Sequence, residues 1–222
     1  MISRLLNQQS REAVTRSGLQ WRSVVLALLV AALLRSLPLL DNRFHPDEAL
    51  YAYFARLIAS GRDPLLSGVV VDKPPLSIYL NSLSLLVFGG HEFAARLPNF
   101  YASLVGVALS FALARRLYDA LTAQVATWVC ALSPFAILFS IIVFIDPLIT
   151  AFVLWGLWTA AGPGPIATSR WNGLAFALAF ATKQTALVFL PLALGLRLLS
   201  LPPTASPRQA LRHLAAGARP LL

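Results

Sequence analysis

The stretch SVVLALLVAALLRSLPLL, from Ser23 to Leu40, decides the class of fold, because its 18 residues are almost all apolar. A helix of this length crosses the hydrocarbon core of a bilayer, which is about 30 Å thick. Basic residues precede it, as in a signal peptide, but residues 41–44 (DNRF) follow in place of a small-residue cleavage site. We therefore predict an uncleaved first span with the N-terminus on the cytoplasmic side. Arg35, in its outer half, is expected to snorkel or to meet a partner.

The composition of the whole chain agrees with a membrane protein. Of its 222 residues, 58% are hydrophobic and 12% are charged, and the mean hydropathy is +0.71. Soluble domains contain about 25% charged residues, so these values exclude a soluble globular enzyme, a disordered chain and a disulfide scaffold. The single cysteine, Cys130, excludes an internal disulfide and a cysteine metal site. The sequence predicts an all-α polytopic membrane helical bundle. Its net charge of +9 is explained by basic inner loops, so no nucleic-acid partner is expected.

The acidic residues are concentrated in one part of the chain and set the expected topology. Six of the nine lie between positions 41 and 92, and a seventh, Asp146, stands alone in an apolar stretch. Pro46 begins a short amphipathic helix that Gly61 ends, so we expect a helical outer loop over 41–96. The apolar runs predict further spans over 97–117, 121–142, 148–161 and 171–200, the last as one tilted helix or as two that meet at 182–184. The chain then divides into a cytoplasmic N-terminus (1–22), a transmembrane domain (23–201) and a basic tail (202–222).

Residues 74–88 allow two placements. A helix of this length is about 22 Å long, which is short for a span, and it contains Asn81 and three serines. If it crossed the membrane, Arg115 and Arg116 would lie outside and Asp146 inside, against the positive-inside rule. We therefore predict that it lies along the outer interface.

Charged residues at four places converge on the predicted outer face: Asp47 with Glu48, Lys73, Arg96 and Asp146. A carboxylate there can act as a general base toward a hydroxyl or an amine, and Lys and Arg can hold a phosphate. Such a set suits transfer from a lipid-phosphate donor, because the cations stabilise charge on the leaving phosphate. Structural explanations stay open, since the acids at 47 and 48 also favour a helix N-terminus and Arg96 also suits an interfacial anchor.

Six motifs in this chain resemble the N-terminal half of the type C glycosyltransferases of the protein mannosyltransferase and aminoarabinose transferase group, which use polyprenyl-phosphate-linked sugars. They occur in the family's order, between residues 22 and 199, and the first two together are fairly specific. The motifs are HPDEALYAYFARLIASGRDPL (45–65), DKPPLSIYL (72–80), FGGHEFAARLPN (88–99), SP (133–134), IDPLITAF (145–152) and ATKQTALVFLP (181–191).

The resemblance implies roles for the acidic residues. Asp47 is the expected catalytic acid or base, Glu48 is its neighbour, and Asp146 is a second acid of the site. Some members of the family hold a divalent metal with the corresponding acids. Asp47 and Asp146 are therefore also candidate metal ligands, although two acids alone are weak evidence for a metal.

The resemblance also implies the substrates and the residues that bind them. Lys73 is expected to contact the lipid phosphate. Arg96 and Asp146 are expected to complete the outer site, and Lys183 to approach it, so that Lys73, Arg96 and Lys183 are the substrate-binding residues. The expected enzyme is a hexosyl- or pentosyltransferase of the bacterial inner membrane with its active site on the periplasmic face. Its partners would be a polyprenyl-phosphate sugar donor, membrane lipid, and a lipid, glycan or protein acceptor. Family members are about twice this length or longer, so the chain is expected to be a truncated form.

Two other functions stay open. A transporter or channel fragment would use Asp146 and Lys183 to line a path, and would place its charges near the midplane of the membrane. A non-catalytic membrane fragment would need its missing C-terminal half. The transferase hypothesis differs from the transporter hypothesis because it places the charges at one face of the membrane, below an amphipathic loop.

Overall fold

The computed structural model describes residues 2–39, 44–162 and 167–199, and all regular structure in these ranges is helical. The all-α prediction is confirmed for this part of the chain. The helices are α1 (Ile2–Leu39), α2 (Pro46–Ala59), α3 (Leu76–Phe88), α4 (Glu92–Leu117), α5 (Ala120–Leu132), α6 (Pro134–Ser140), α7 (Asp146–Ala160), α8 (Ala167–Thr182) and α9 (Leu190–Leu199), with a 3-10 helix (Gln184–Phe189) between the last two.

Two of these helices are long and apolar enough to cross a membrane. One is the segment Gln20–Leu37 of α1 and the other is α4. They coincide with the spans predicted over 23–40 and 97–117, but α4 begins earlier than predicted, at Glu92. Its start is capped, because Nδ1 of His91 accepts a hydrogen bond from the backbone N–H of Ala94 at 3.3 Å.

The span predicted over 121–142 is bent in the structure, where it consists of α5 and α6. α5 and α6 meet just before Pro134 with their axes bent by 56°. Pro134 lacks the N–H that would bond to the carbonyl of Cys130, so a straight helix cannot continue. Arg35 supplies donors instead: Nη2 bonds to the carbonyl of Cys130 at 3.1 Å and Nη1 to that of Ala131 at 2.9 Å. Arg35 also bonds to the carbonyl of Ala31 and to Oγ of Ser103, so it meets partners, which is the second of its two predicted alternatives.

The run predicted over 171–200 is also broken, which confirms the second of its two predicted arrangements in the described residues. α8 ends at Thr182 and the 3-10 helix begins at Gln184. Lys183 stands between them in an extended conformation, with φ −155° and ψ 129°. The break places Lys183 at a helix end.

α7 and α8 are packed antiparallel. Nδ2 of Asn172, early in α8, donates a hydrogen bond to the carbonyl of Gly156, late in α7, at 2.6 Å. At the other end of the pair, Lys183 contacts Asp146, the first residue of α7. The antiparallel arrangement thus returns the chain to the end of the molecule where α7 began.

α4 and α7 run parallel. Asn99, near the start of α4, bonds to the carbonyl of Phe144, just before α7. Arg116, near the end of α4, donates to the carbonyl of Trp158 near the end of α7, and its guanidinium lies 4.1 Å from the centre of the Trp158 ring. The starts of both helices therefore lie at the same end of the structure.

α2 and α3 pack on each other beside the start of α4 around a shared apolar core. With 13 residues, α3 is about 20 Å long, which is shorter than the membrane core. Near its start, the Tyr79 hydroxyl donates to the carbonyl of Pro64 at 2.9 Å, and just past its end the carbonyl of Gly90 accepts from Arg56 at 2.7 Å. Both ends of α3 thus contact the α2 region. This favours the interfacial placement of residues 74–88, which stays a prediction.

Some predicted features lie outside the described residues. They are residues 163–166, which connect the spans predicted over 148–161 and 171–200, and the basic tail, at 202–222. The division into an inner N-terminus, a transmembrane domain and a tail likewise stays a prediction.

Candidate functional site

Asp146 and Lys183 form an ion pair where α7 begins and α8 ends. Nζ of Lys183 lies 2.8 Å from Oδ1 of Asp146. The Lys183 side chain is 26% exposed and the Asp146 side chain is 45% exposed, so a substrate can reach both. The carboxylate also lies at the N-terminus of α7, where the helix dipole favours a negative charge. The structure thus brings together two residues that the sequence analysis placed in the site.

Asp72 and Lys73 form a second ion pair, on the segment before α3. Nζ of Lys73 lies 2.5 Å from Oδ2 of Asp72. The hydrogen bond from Lys73 lowers the pKa of Asp72 below its usual range, and the same bond raises the pKa of Lys73. Lys73 therefore carries its positive charge at neutral pH. Its side chain is 31% exposed and open to a ligand.

Asp47 is the most exposed of the three acids predicted for the site, with 67% of its side chain accessible. Its carboxylate lies 3.7 Å from Nδ1 of His45. The same Nδ1 accepts the backbone N–H of Asp47 at 3.3 Å, which caps α2. Within the described ranges, no hydrogen bond or ion pair joins Asp47 to Asp146. Asp47 is thus open to accept a proton from a molecule at the surface of α2.

Tyr51 lies among these charges, and sequence reasoning misses it. Burial raises the pKa of the Tyr51 hydroxyl above its usual range, the charges of Asp72, Asp146 and Asp47 raise it further, and Lys73 opposes them. Asp47, Asp146 and both members of the Asp72–Lys73 pair are therefore close enough to act on one hydroxyl group. Tyr51 follows Asp47 by four residues, so the two share a face of α2. That spacing is the signal by which sequence reasoning could have found it.

Glu48 points away from Asp47 and is buried, with 2% of the residue exposed. Its carboxylate accepts two hydrogen bonds from Arg96, at 3.0 Å from Nε and 3.1 Å from Nη2. It also accepts the backbone N–H of Val143 and that of His45, each at 2.9 Å. Glu48 therefore links α2 to α4 and to the segment before α7. Arg96 is equally buried, at 3% exposed, and the pair does not present a free charge to a substrate.

Asn99 is the second residue that sequence reasoning misses. Its Nδ2 donates to the carbonyls of Ile142 and Phe144, at 2.5 and 2.6 Å. The side chain is fully buried, and its Oδ1 has no partner among the described residues. These bonds tie the segment that precedes α7 to α4, and so determine where Asp146 lies. The signal in the sequence is a lone amide in an apolar helix, one turn after Arg96.

A divalent metal, which the resemblance allows, would need ligands in addition to the two candidate acids. The described residues contain no group of three or more His, Cys, Asp or Glu side chains placed to hold a metal ion. Lys183 already bonds to Asp146.

Comparison with known proteins points to one family. The family model described as dolichyl-phosphate-mannose-protein mannosyltransferase matches residues 72–218. Two proteins of Bacillus subtilis (strain 168) are similar in sequence. "Putative mannosyltransferase YkcB" is 30% identical over 90 residues, which are 40% of this chain and 13% of that protein. "Putative mannosyltransferase YycA" is 28% identical over 148 residues, which are 60% of this chain and 20% of that protein. The chain thus matches a fifth or less of the length of either relative, and no solved structure matches it significantly.

Proposed function

Because this chain belongs to the dolichyl-phosphate-mannose-protein mannosyltransferase family, we propose that it forms the donor-binding and catalytic part of a membrane glycosyltransferase. The reaction transfers a sugar from a polyprenyl-phosphate donor to a lipid, glycan or protein acceptor. The family's name specifies dolichyl phosphate mannose as the donor and protein as the acceptor, and both relatives are named as mannosyltransferases. Membership of this family also favours the transferase hypothesis over the transporter hypothesis.

In the proposed reaction, Asp47 acts as the general base. Its carboxylate takes the proton of the acceptor hydroxyl or amine as the acceptor atom attacks the anomeric carbon of the sugar. The bond between that carbon and the phosphate oxygen breaks, and the electron pair leaves with the polyprenyl phosphate. Lys73 stabilises the charge that develops on this phosphate.

The observation that carries the proposal is the set of charges around Tyr51. Asp47, Asp72 and Asp146 raise the pKa of the Tyr51 hydroxyl and Lys73 lowers it, so three acids and a cation act on one residue of α2. Asp47 and Lys73 are both exposed to a ligand there. Because its pKa is raised, Tyr51 stays protonated at neutral pH and can donate a hydrogen bond to a donor or acceptor oxygen.

Glu48 and Arg96 have a positioning role in this proposal. They are buried and bonded to each other, so neither contacts the reacting atoms. Glu48 bonds to the backbone of Val143, and this contact holds the segment before α7 against α2. The pair therefore keeps Asp47 and Asp146 on adjacent elements.

The site is proposed to lie on the outer face of the cell membrane, in a multi-pass protein. Arg115 follows Arg96 by 19 positions on α4, which is about 29 Å along the helix and close to the thickness of the membrane core. Arg115 and Arg116 thus lie at the opposite end of α4 from the site. The positive-inside rule places that end in the cytoplasm.

The direct test is transfer of labelled mannose from a polyprenyl-phosphate donor by membranes that contain the full-length protein. Asp47→Asn keeps the size of the side chain and removes the base, so transfer should fall by about 100-fold or more. Glu92→Gln is the matched control, because Glu92 lies in the first turn of α4, at the end nearest the site, and its carboxylate has no hydrogen bond or ion pair within the described residues. This variant should transfer like the wild type.

The amounts of folded protein are compared by the elution of each variant in detergent. Normal folding with lost transfer in Asp47→Asn supports the base role. Unchanged transfer in Asp47→Asn would refute it, and an equal loss in Glu92→Gln would show that any lost charge at this face has the same effect.

A further inference from the structure

A groove of about 420 Å³ runs between the parallel helices α4 and α7. On α4 its wall extends from Pro98 to Leu109, and on α7 it extends from Leu148 to Trp158, which is about 15 Å along the helix. Every side chain of the wall is apolar or aromatic, and none of the charged residues of the candidate site belongs to it. The groove is therefore a separate feature of the molecule.

The outer end of this groove is covered by α3. Leu80 of α3 packs against the cluster that contains Ala102 and Leu148, two residues of the groove wall. Farther along α4, the side of the groove is open, because Val105 is 50% exposed. An occupant therefore reaches the groove from the side or from its inner end.

Three tryptophans lie at the inner end of the groove. Trp155 and Trp158 belong to its wall, and the ring of Trp171, near the start of α8, lies 5.9 Å from the ring of Trp155. Tryptophan is enriched at the membrane–water interface, where its amphipathic ring lies at the level of the lipid headgroups. The inner end of the groove therefore lies at headgroup level in the cytoplasmic leaflet.

Arg116 is held beside this inner end. Its guanidinium lies 4.1 Å from the centre of the Trp158 ring, and its Nη1 donates to the carbonyl of Trp158. The stack and the hydrogen bond fix the position of the charge. Arg116 is nevertheless exposed, and its other N–H groups bond to no protein group within the described ranges. They are therefore available to an anion at the end of the groove.

Arg115 adds a second exposed positive charge at the same end. Asp119 is close enough for Arg115 to act on it, but its Oδ1 accepts the backbone N–H of Thr122 at 2.8 Å and so caps α5. That hydrogen bond is the main cause of the lowered pKa of Asp119, and the charge of Arg115 is the smallest cause. Arg115 therefore stays available to a second anionic group.

We infer that this groove binds an anionic phospholipid of the cytoplasmic leaflet, with an acyl chain between α4 and α7 and the headgroup phosphate against Arg115 and Arg116. An amphiphile of this kind matches the groove, because the wall is apolar and two arginines lie at one end. Basic pockets between membrane-spanning helices on the cytoplasmic side bind anionic headgroups in this way. The lipid is a structural partner of the helix pair, since the arginines lie at the opposite end of α4 from the candidate site.

The charge at the inner end favours an anionic lipid over a zwitterionic one. A phosphatidylcholine headgroup carries its own positive charge, which opposes the two arginines, whereas the phosphatidylglycerol headgroup carries only the negative charge of its phosphate. A basic residue near an anionic membrane surface strengthens binding by roughly 5-fold, so two arginines should give a preference of about 30-fold. The preference between two lipids with the same acyl chains therefore measures the role of the arginines.

The test is a lipid titration of the delipidated full-length protein in detergent. Palmitoyl-oleoyl-phosphatidylglycerol is added, and the dissociation constant of the first bound lipid is measured by native mass spectrometry. Palmitoyl-oleoyl-phosphatidylcholine should bind about 30-fold more weakly. Glycerol phosphate, which has the phosphate but no acyl chain, should not compete, and this separates a lipid site from a site for free phosphate.

Two arginine variants test the headgroup end. Arg115→Gln/Arg116→Gln should abolish the preference for phosphatidylglycerol. Arg115→Gln alone should weaken its binding by about 5-fold, and this variant should fold normally because the Arg115 side chain makes no hydrogen bond within the described ranges. Arg62→Gln is the matched control, since it removes an exposed arginine from the loop after α2 and should bind both lipids like the wild type.

Two valine variants test the groove itself. Val105→Trp places a larger side chain in the groove, so an acyl chain loses the contacts of about two CH₂ groups and phosphatidylglycerol should bind about 10-fold more weakly. Val125→Trp is the matched control, because Val125 is similarly exposed, at 54%, and lies on α5 outside the groove. This variant should bind phosphatidylglycerol like the wild type.

Each outcome decides the inference. A preference for phosphatidylglycerol that is lost in the arginine double variant and weakened in Val105→Trp, but kept in both controls, supports it. Equal binding of the two lipids overturns it and would indicate that another segment of the full-length chain fills the groove. Unchanged binding in Val105→Trp also overturns it, because the arginines would then attract lipid without the groove. Asp47→Asn should bind phosphatidylglycerol normally although its transfer is lost, so failure of this inference is distinct from failure of the proposed reaction.

Discussion

The guanidinium of Arg96 makes two hydrogen bonds to the carboxylate of Glu48, at 3.0 and 3.1 Å, and only 4% and 3% of the two side chains are exposed. The pair joins α2 to α4. Both charges have been removed from water, and the ion pair offsets part of the cost of their burial. The pair is therefore a structural element of the site, and it can be tested separately from catalysis.

Glu48→Ala should strongly destabilise the protein, because it removes the carboxylate to which the buried guanidinium of Arg96 makes two hydrogen bonds. Breaking a buried pair in this way costs about 3–5 kcal/mol. The measurement is the free energy of unfolding in detergent, followed by tryptophan fluorescence. The double variant Glu48→Ala/Arg96→Met should lose less stability than the sum of the two single variants, since the two residues are in direct contact. Equal stability of Glu48→Ala and the wild type would contradict the prediction.

Asn99→Ala should release the segment that precedes α7. The substitution removes the bonds to the carbonyls of Ile142 and Phe144, and an unsatisfied buried carbonyl costs about 1–3 kcal/mol. Hydrogen exchange of residues 141–145, measured by mass spectrometry, should become faster. Asn99→Asp should behave similarly, because a carboxylate cannot donate to a carbonyl.

The matched control for Asn99 is Asn172→Ala. Asn172 also donates to a backbone carbonyl, that of Gly156, but at the other end of α7. Exchange over 141–145 should stay at the wild-type rate in this variant. The role given to Asn99 is wrong if exchange there is unchanged in both Asn99 variants.

Gly156→Ala should weaken the contact between α7 and α8. A Cβ at this position would lie 2.6 Å from Cε2 of Phe176, so the ring or the helices must move. We expect a loss of about 1–3 kcal/mol in the free energy of unfolding. Gly106→Ala meets no atom within 4 Å and should stabilise α4 by about 0.5–1 kcal/mol. Opposite shifts of the thermal midpoint would support this account, and a shift of the same sign in both would count against it.

Asp63 should hold the loop after α2 at neutral pH and release it only in strong acid. Its carboxylate accepts the backbone N–H groups of Gly68 and Ser67, each at 2.8 Å, and these bonds lower the pKa of Asp63. Since the folded pKa lies below the unfolded value, the stabilisation is complete above the unfolded pKa and is lost as pH falls through the folded one. Cleavage at residues 64–68 by an acid-active protease should therefore increase only below the usual Asp range. Asp63→Asn should be cleaved at every pH, and a loop of the wild type that opens near neutral pH would contradict the assignment.

Much of the fold could be predicted from the chain, because helices in a membrane protein depend on local composition. Apolar runs of sufficient length predicted α1 and α4, and Pro46 and Gly61 predicted the limits of α2 closely. The two helix breaks, before Pro134 and at Lys183, were harder to predict. The SP motif at 133–134 was noted for its resemblance to a family, yet its proline was not taken to interrupt a helix, and the capping of α5 by Arg35 joins residues about a hundred positions apart.

The candidate site shows the same division. Motifs predicted Asp47, Lys73, Asp146 and Lys183, and the structure pairs the last two. Neither Tyr51 nor Asn99 was predicted, because the relevance of each lies in its surroundings. Four charged residues act on Tyr51, and Asn99 bonds to two backbone carbonyls.

By itself, the sequence determined that the protein is a helical membrane protein and that it belongs to a family of mannosyltransferases. It also showed which charged residues stand out, because few are present. Only the tertiary structure decided what each charge does. Asp47 and Glu48 are neighbours in the sequence, but successive residues of a helix point about 100° apart. One carboxylate therefore faces solvent and is free to take a proton, and the other faces Arg96 and holds α2, α4 and the start of α7 together.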